Sequence, residues 1–145
     1  MKIEGIMKVK KLSENAILPT KAHAGDLGYD LYAQAPIAIF PGEVKLVSTG
    51  ISVQFPENYG ALLRDRSSVA TKQYLFVVAG VIDNGYTGEI KIALYNGGGD
   101  VAKIQEGSKI AQMILVHTVN FDIEEVTETT SADGRGSNGF GSTGN

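Results

Sequence analysis

The chain has 145 residues, 43% of them apolar and 20% charged, with a formal net charge of −3 and no cysteine. That length makes one domain with a sizeable core, and the mild acidity argues against non-specific nucleic-acid binding. The absence of cysteine excludes disulfide and thiolate chemistry, as in the cytoplasm or another reducing compartment, and no run reaches the roughly 18 apolar residues of a membrane span.

Residues 1–11 lack the apolar region of a signal peptide, and Met7 is a candidate alternative start. Residues 6–12 read as a first strand and 13–23 as extended chain interrupted by Pro19. The stretch 24–33, A-G-D-L-G-Y-D-L-Y-A, packs two glycines and two aspartates ahead of a short strand. Such a loop can bring a carboxylate near a cation; it is equally a turn-rich junction. Residues 37–40, 44–48, 51–55 and 59–63 are short strands, with Thr49-Gly50 breaking the middle pair. Strands of this length at 8–12-residue spacing, with no long helical period, predict an all-β sandwich, jelly roll or small distorted barrel.

Arg64-Asp65-Arg66-Ser67-Ser68 interrupts the strands, and residues 67–72 have room for one helical turn. Arg66 with two hydroxyls at a helix start suits an anion; the alternative is a Ser cap beside an Arg66–Asp65 pair. The run from Val77 to Asp83 is apolar and β-branched, Asn84-Gly85 signals a tight hairpin, and the return strand places Ile90, Ile92 and Leu94 on one face. Asp83 and Tyr86 then sit at the mouth of a slot walled by strand backbone. The two histidines, His23 and His117, are too far apart in sequence for a zinc site. Residues 101–104 form a strand, 109–117 a buried central strand with Gln112 its one inner polar residue, and 123–126 a last strand. Residues 131–145 are glycine-rich and cannot form a core, yet carry one Arg and one Phe; this is either simple disorder or a segment that orders over a ligand as a lid.

Five pieces stand in order: A-G-D-L-G-Y-D-L, R-S-S, G-V-I-D-N-G-Y-T-G-E-I, G-S-K-I-A-Q-M-I and R-G-S-N-G-F-G-S-T-G. Together they resemble the five motifs of the homotrimeric dUTPases. The resemblance implies a β jelly roll over residues 1–130, a flexible lid over 131–145, and a homotrimer with three shared active sites. It implies hydrolysis of dUTP to dUMP and pyrophosphate with Mg²⁺. Direct nucleic-acid or membrane binding is not expected.

Residue by residue, the resemblance makes Asp83 the group that orients and activates water, and Tyr86 the ring beneath deoxyribose. It gives uracil to the backbone around Val81, Ile82 and Lys91. It gives phosphate to Arg66, Ser67, Ser68 and Gln112, and the water shell of Mg²⁺ to Asp30. In the tail, Arg135 reaches the γ-phosphate, Phe140 stacks on uracil, and Gly141, Ser142 and Thr143 complete the substrate contacts. Two departures stand out: Asp65 where many relatives have Pro, and Val77 where some have Asn. The rival readings are a dCTP deaminase of the same fold, which needs a Glu near Ala93, and a non-catalytic nucleotide-binding regulator.

Overall fold

Burial along β8 (Glu89–Asn96) has a period of two: Ile90, Ile92 and Leu94 are fully buried while Lys91 and Tyr95 are exposed. That alternation fits an antiparallel strand with one wet face. In the computed structural model, which describes residues 1–141, β8 is an inner strand of a sheet ordered β1-β4-β8-β6, where β1 is Lys8–Lys11, β4 Val44–Gln54 and β6 Leu75–Val78. A second sheet is ordered β2-β10-β5-β7, from Gly28–Tyr32, Lys109–His117, Tyr59–Arg64 and Val81–Ile82. A ribbon of β3 (Ile37–Ile39) and β9 (Ala102–Ile104) completes the strands. One core cluster draws Ile51, Val53, Ile92 and Leu94 from the first sheet and Leu31, Leu63, Ile110 and Met113 from the second. Two antiparallel sheets over one apolar interior make the expected jelly-roll sandwich. Among the described residues no helix is long and apolar enough to cross a membrane.

Three expectations need correction. Residues 44–48 and 51–55 are one strand, β4, whose pairing with β8 shifts register between Ser48 and Ser52. Gly50 takes φ +70° there, and its N–H donates to Glu89 Oε2, so the Thr49-Gly50 break is a bulge rather than a strand end. Residues 123–126 form no strand, and Phe121 and Ile123 are exposed, because no strand among the described residues lies beside them.

The third correction matters most. Val81 and Ile82 do not pair with β8. β6 pairs with β8 as far as Val78↔Ala93; the chain then turns through Ala79 (φ 62°) and Gly80 (φ 101°) and enters the other sheet, where β7 pairs with β5. A Cβ at Gly80 would lie 2.9 Å from the Leu63 carbonyl oxygen, and Leu63 N–H donates to Gly80 O at 2.7 Å. Neither Asn84 nor Gly85 has positive φ, so the tight hairpin turn is absent. Asp83 O instead accepts Tyr86 N–H at 3.1 Å, closing a turn between strands of different sheets.

Candidate active site

Switching sheets leaves a gap. β7 is the edge of its sheet, with β5 on one side only. β8 carries β4 beside Glu89 and Lys91, but β6 on its other side stops opposite Ala93. Two lengths of backbone thus face an opening without a strand partner among the described residues, and unpaired strand edges present N–H and C=O groups. A cleft of about 210 Å³ lies there, lined by Val81, Ile82, Asp83, Tyr86, Glu89 and Lys91.

Asp83 is exposed, and Tyr86 is pinned by its hydroxyl, which donates to Glu89 O at 2.6 Å. The Tyr86 ring is tied across the turn, and a Cβ at Gly88 would meet its hydroxyl oxygen at 2.6 Å. Close docking of the turn on β5 needs Gly60, where a Cβ would lie 2.8 Å from the Ile82 carbonyl oxygen.

A second group of polar side chains forms where β2, β10 and β5 meet α1 (Ser67–Gln73). Gln112 is the Cα partner of both Asp30 and Arg64, which puts Asp30 beside the start of the Arg66 loop. Asp30 Oδ1 accepts Arg66 Nε at 3.1 Å, and Oδ2 lies 3.4 Å from Lys109 Nζ. Arg66 therefore pairs with Asp30 and not with Asp65, and it occupies the N-cap position with no side-chain cap bond. Ser67 and Ser68 are exposed with their hydroxyls at the helix start. Gln112 Nε2 donates to Asp65 O at 2.8 Å, and the amide lies in space that exists because residue 28 is glycine. The Asp65 carboxylate accepts the Val77 N–H, so Asp65 fastens the Arg66 loop to β6.

The two groups stand at opposite ends of β5. Asp83 lies beside Gly60, and Arg66 follows Arg64. Gly60 and Arg64 are four residue steps apart along the strand, about 14 Å at 3.4 Å per step. Among the described residues the tail makes no hydrogen bond or ion pair with either group. Arg135 Nε donates to Asn138 O at 2.7 Å within the tail, and the Phe140 side chain is wholly exposed. Gly141 ends the described residues; Ser142 and Thr143 lie outside them. The Asp133 carboxylate accepts Arg135 N–H and the Ser131 hydroxyl, which hold its carboxyl below the usual range, the main-chain bond first.

A family model described as dUTPase matches residues 14–144. The chain belongs to the dUTPase family. The deoxyuridine 5'-triphosphate nucleotidohydrolase of Clostridium novyi (strain NT) is 47% identical over 138 residues, covering 94% of this chain and 96% of that protein. That of Clostridioides difficile is 46% identical over 140 residues, 95% and 97% of the two. Among solved structures, the Staphylococcus bacteriophage 80alpha dUTPase with dUPNHPP has a TM-score of 0.88 and 30% identity over 96% of this chain and 98% of that chain. A variant dUTPase of phage phi11 of S. aureus, described with a structural Mg(II) ion, has a TM-score of 0.78 and 29% identity over 86% and 98%. The dUTPase reaction of this chain is hydrolysis of dUTP to dUMP.

Sequence reasoning overlooked three residues in and around the two groups. Glu89 lines the cleft, and its even spacing with Lys91 on the wet face of β8 was the available sign. Lys109 opens the K-I-A-Q-M-I stretch, but only the fold shows that its ammonium meets Asp30. Asn84 shows only a turn preference in the sequence; only the fold shows its amide donating to Pro56 O and Tyr59 O.

Proposed function

We propose that each dUTP is shared between copies of this chain: the cleft of one takes uracil and deoxyribose, and the Arg66 group of another takes the phosphates. The observation that carries this is the separation of the two groups along β5. A cleft of about 210 Å³ is also below the roughly 300–1,000 Å³ of complete small-molecule sites. A closed homotrimer supplies three such shared sites. Two exposed apolar surfaces support association. On the outer face of the first sheet, Leu46 lies opposite Ala93 and Val44 opposite Tyr95, continuing the Lys91 face of β8. Val119, Phe121 and Ile123 alternate with polar residues, as an unpaired strand would.

Uracil lies in the gap where a strand is missing and hydrogen-bonds the main chain around Val81, Ile82 and Lys91. Cytosine brings an amino donor where uracil has an acceptor, and each such mismatch costs about 1–3 kcal/mol. The thymine methyl meets the narrow walls. The Tyr86 ring packs against deoxyribose and excludes a 2′-hydroxyl. Asp83 accepts a hydrogen bond from water, aims its oxygen at phosphorus and takes its proton as the oxygen attacks; pyrophosphate leaves. Arg66, Ser67, Ser68 and Gln112 hold the phosphates, and the 131–145 tail closes as a lid with Arg135 on the γ-phosphate and Phe140 on uracil. Gly141, Ser142 and Thr143 complete that lid.

The donor set fits Mg²⁺ only at second hand. Among the described residues no group of three or more His, Cys, Asp or Glu could hold a metal, and both Asp30 oxygens face cations. A hydrated Mg²⁺ carried by the substrate phosphates, with Asp30 accepting from its water shell, matches that chemistry. When bound, the ion neutralises charge on the phosphates and the departing pyrophosphate.

The test is pyrophosphate release from dUTP beside dCTP, dTTP and UTP, with and without Mg²⁺, for wild type and Asp83→Asn. Turnover of dUTP alone, falling about 10²–10⁴-fold in the variant, is expected. Wild-type turnover by Asp83→Asn overturns the assignment of Asp83, and ammonia from dCTP overturns the substrate.

A further inference from the structure

Asp83 has to point at one place, yet its side chain is not held. It is exposed, and among the described residues no ion pair or side-chain hydrogen bond fixes its carboxylate. Its direction therefore comes from its backbone. On the N-terminal side that backbone hangs on β7, a strand of two residues. On the C-terminal side stands Asn84. Its Nδ2 donates to Tyr59 O at 2.7 Å and to Pro56 O at 3.0 Å.

Both acceptors belong to the 56–59 turn at the head of β5, the ground against which the Asp83 turn rests. Two carbonyl oxygens around one atom admit only the NH₂ end of the amide; the oxygen end would be repelled. That turn is itself anchored. Thr118 N–H donates to Asn58 O at 2.8 Å, and the Tyr59 ring stacks on His117 with centroids 4.3 Å apart. Apart from the Tyr86 hydroxyl, whose bond to Glu89 O points toward the other sheet, Asn84 is the side-chain bolt between the Asp83 turn and the body of the fold.

We propose that Asn84 is a positioning residue for the dUTPase reaction: its amide, bonded to Pro56 O and Tyr59 O, fixes the backbone that aims Asp83. The proposal rests on the reading of Asp83 as the group that directs water. It assigns Asn84 no contact with substrate, so its loss appears in kcat. The base is read by the main chain of β7 and β8, so KM stays near its wild-type value.

The experiment compares wild type, Asn84→Ala, Asn84→Asp, Asp83→Asn and the Asp83→Asn/Asn84→Ala double variant, each checked for fold and assembly. Asn84→Asp keeps the shape but sets an anionic oxygen against two carbonyls. Both Asn84 variants are expected to lose roughly tenfold or more in kcat, since misplacement by about an ångström costs up to 10². KM should change by less than about threefold, the mark of an interaction that acts on the transition state alone. Because Asn84 works through Asp83, Asn84→Ala should cost nothing further in the double variant. Wild-type kcat in a folded Asn84→Ala, or an equal loss with and without Asp83, overturns the proposal. Full activity in Asp83→Asn instead removes the reading beneath it, so the two failures are told apart.

Discussion

The two ends of β5 are built from different forces. At the Gly60 end, an exposed Asp83 stands on a turn held by neutral hydrogen bonds from Asn84 and Tyr86, beside strand edges that have lost their neighbours. At the Arg64 end, Asp30 pairs with both Arg66 and Lys109, leaving one positive charge in excess, beside a Gln112 whose Nε2 donates to Asp65 O. Shape and hydrogen-bond matching belong to the first; charge handling belongs to the second. A flat neutral base can be recognised where backbone is unpaired, because each mismatch strands a polar group. A triphosphate needs cations, and cations kept beside Asp30 remain compensated until it arrives. On the proposed sharing, keeping the two apart also means that neither half acts alone.

Mixing chains tests that division most severely. Asp83→Asn is expected to be nearly inactive and Arg66→Ala to keep at most about a tenth of wild-type turnover at limiting dUTP, yet chains unfolded and refolded together should regain roughly a quarter, because in an equal mixture one shared site in four draws both intact halves. A mixture that stays inactive means that the two halves belong to one chain. Cutting after Thr130 comes next: most turnover should disappear while the assembly, followed by light scattering, persists. Unchanged turnover would leave the tail no part in the reaction.

Arg66→Ala, assayed at saturating and limiting dUTP, should lower kcat/KM by about 10–10², the worth of charge-assisted hydrogen bonds of about 1.5–3 kcal/mol. Its stability should fall little, because Asp30 keeps Lys109. The smallest effect concerns the tail turn. Arg135 N–H, then the Ser131 hydroxyl, lower the Asp133 carboxyl, so the turn's stabilisation is complete above the unfolded value of about 3.9 and fades as pH falls through the lower folded value. NMR titration of Asp133 should give a midpoint below 3.9; one at or above it means the turn is unformed.

Much of this was legible before any coordinates. The alternation of Ile90, Ile92 and Leu94 marked the buried face of β8, and the apolar run at 109–117 marked an inner strand, β10 between β2 and β5. Thr49-Gly50 was rightly read as a disturbance, but a bulge and a break look alike when the partner strand is unknown. Asn84-Gly85 misled for a related reason. Its preference for a tight hairpin assumes that the flanking strands pair with each other, whereas Val81 and Ile82 pair with β5. Residues 123–126 have the composition of a strand but no neighbour in this chain, and composition cannot say whether a neighbour exists.

Local chemistry alone therefore determined which residues alternate in and out, where glycine and aspartate turn the chain, and, through five ordered motifs, the family and its reaction. Tertiary structure decided that the chain crosses between sheets at Ala79-Gly80 and so opens the cleft, that Asp30 meets Arg66 and Lys109, and that Asn84 grips the head of β5. The reason is that a period of two reports which side of a strand is buried, while the strand lying beside it is chosen by contacts between residues far apart in sequence.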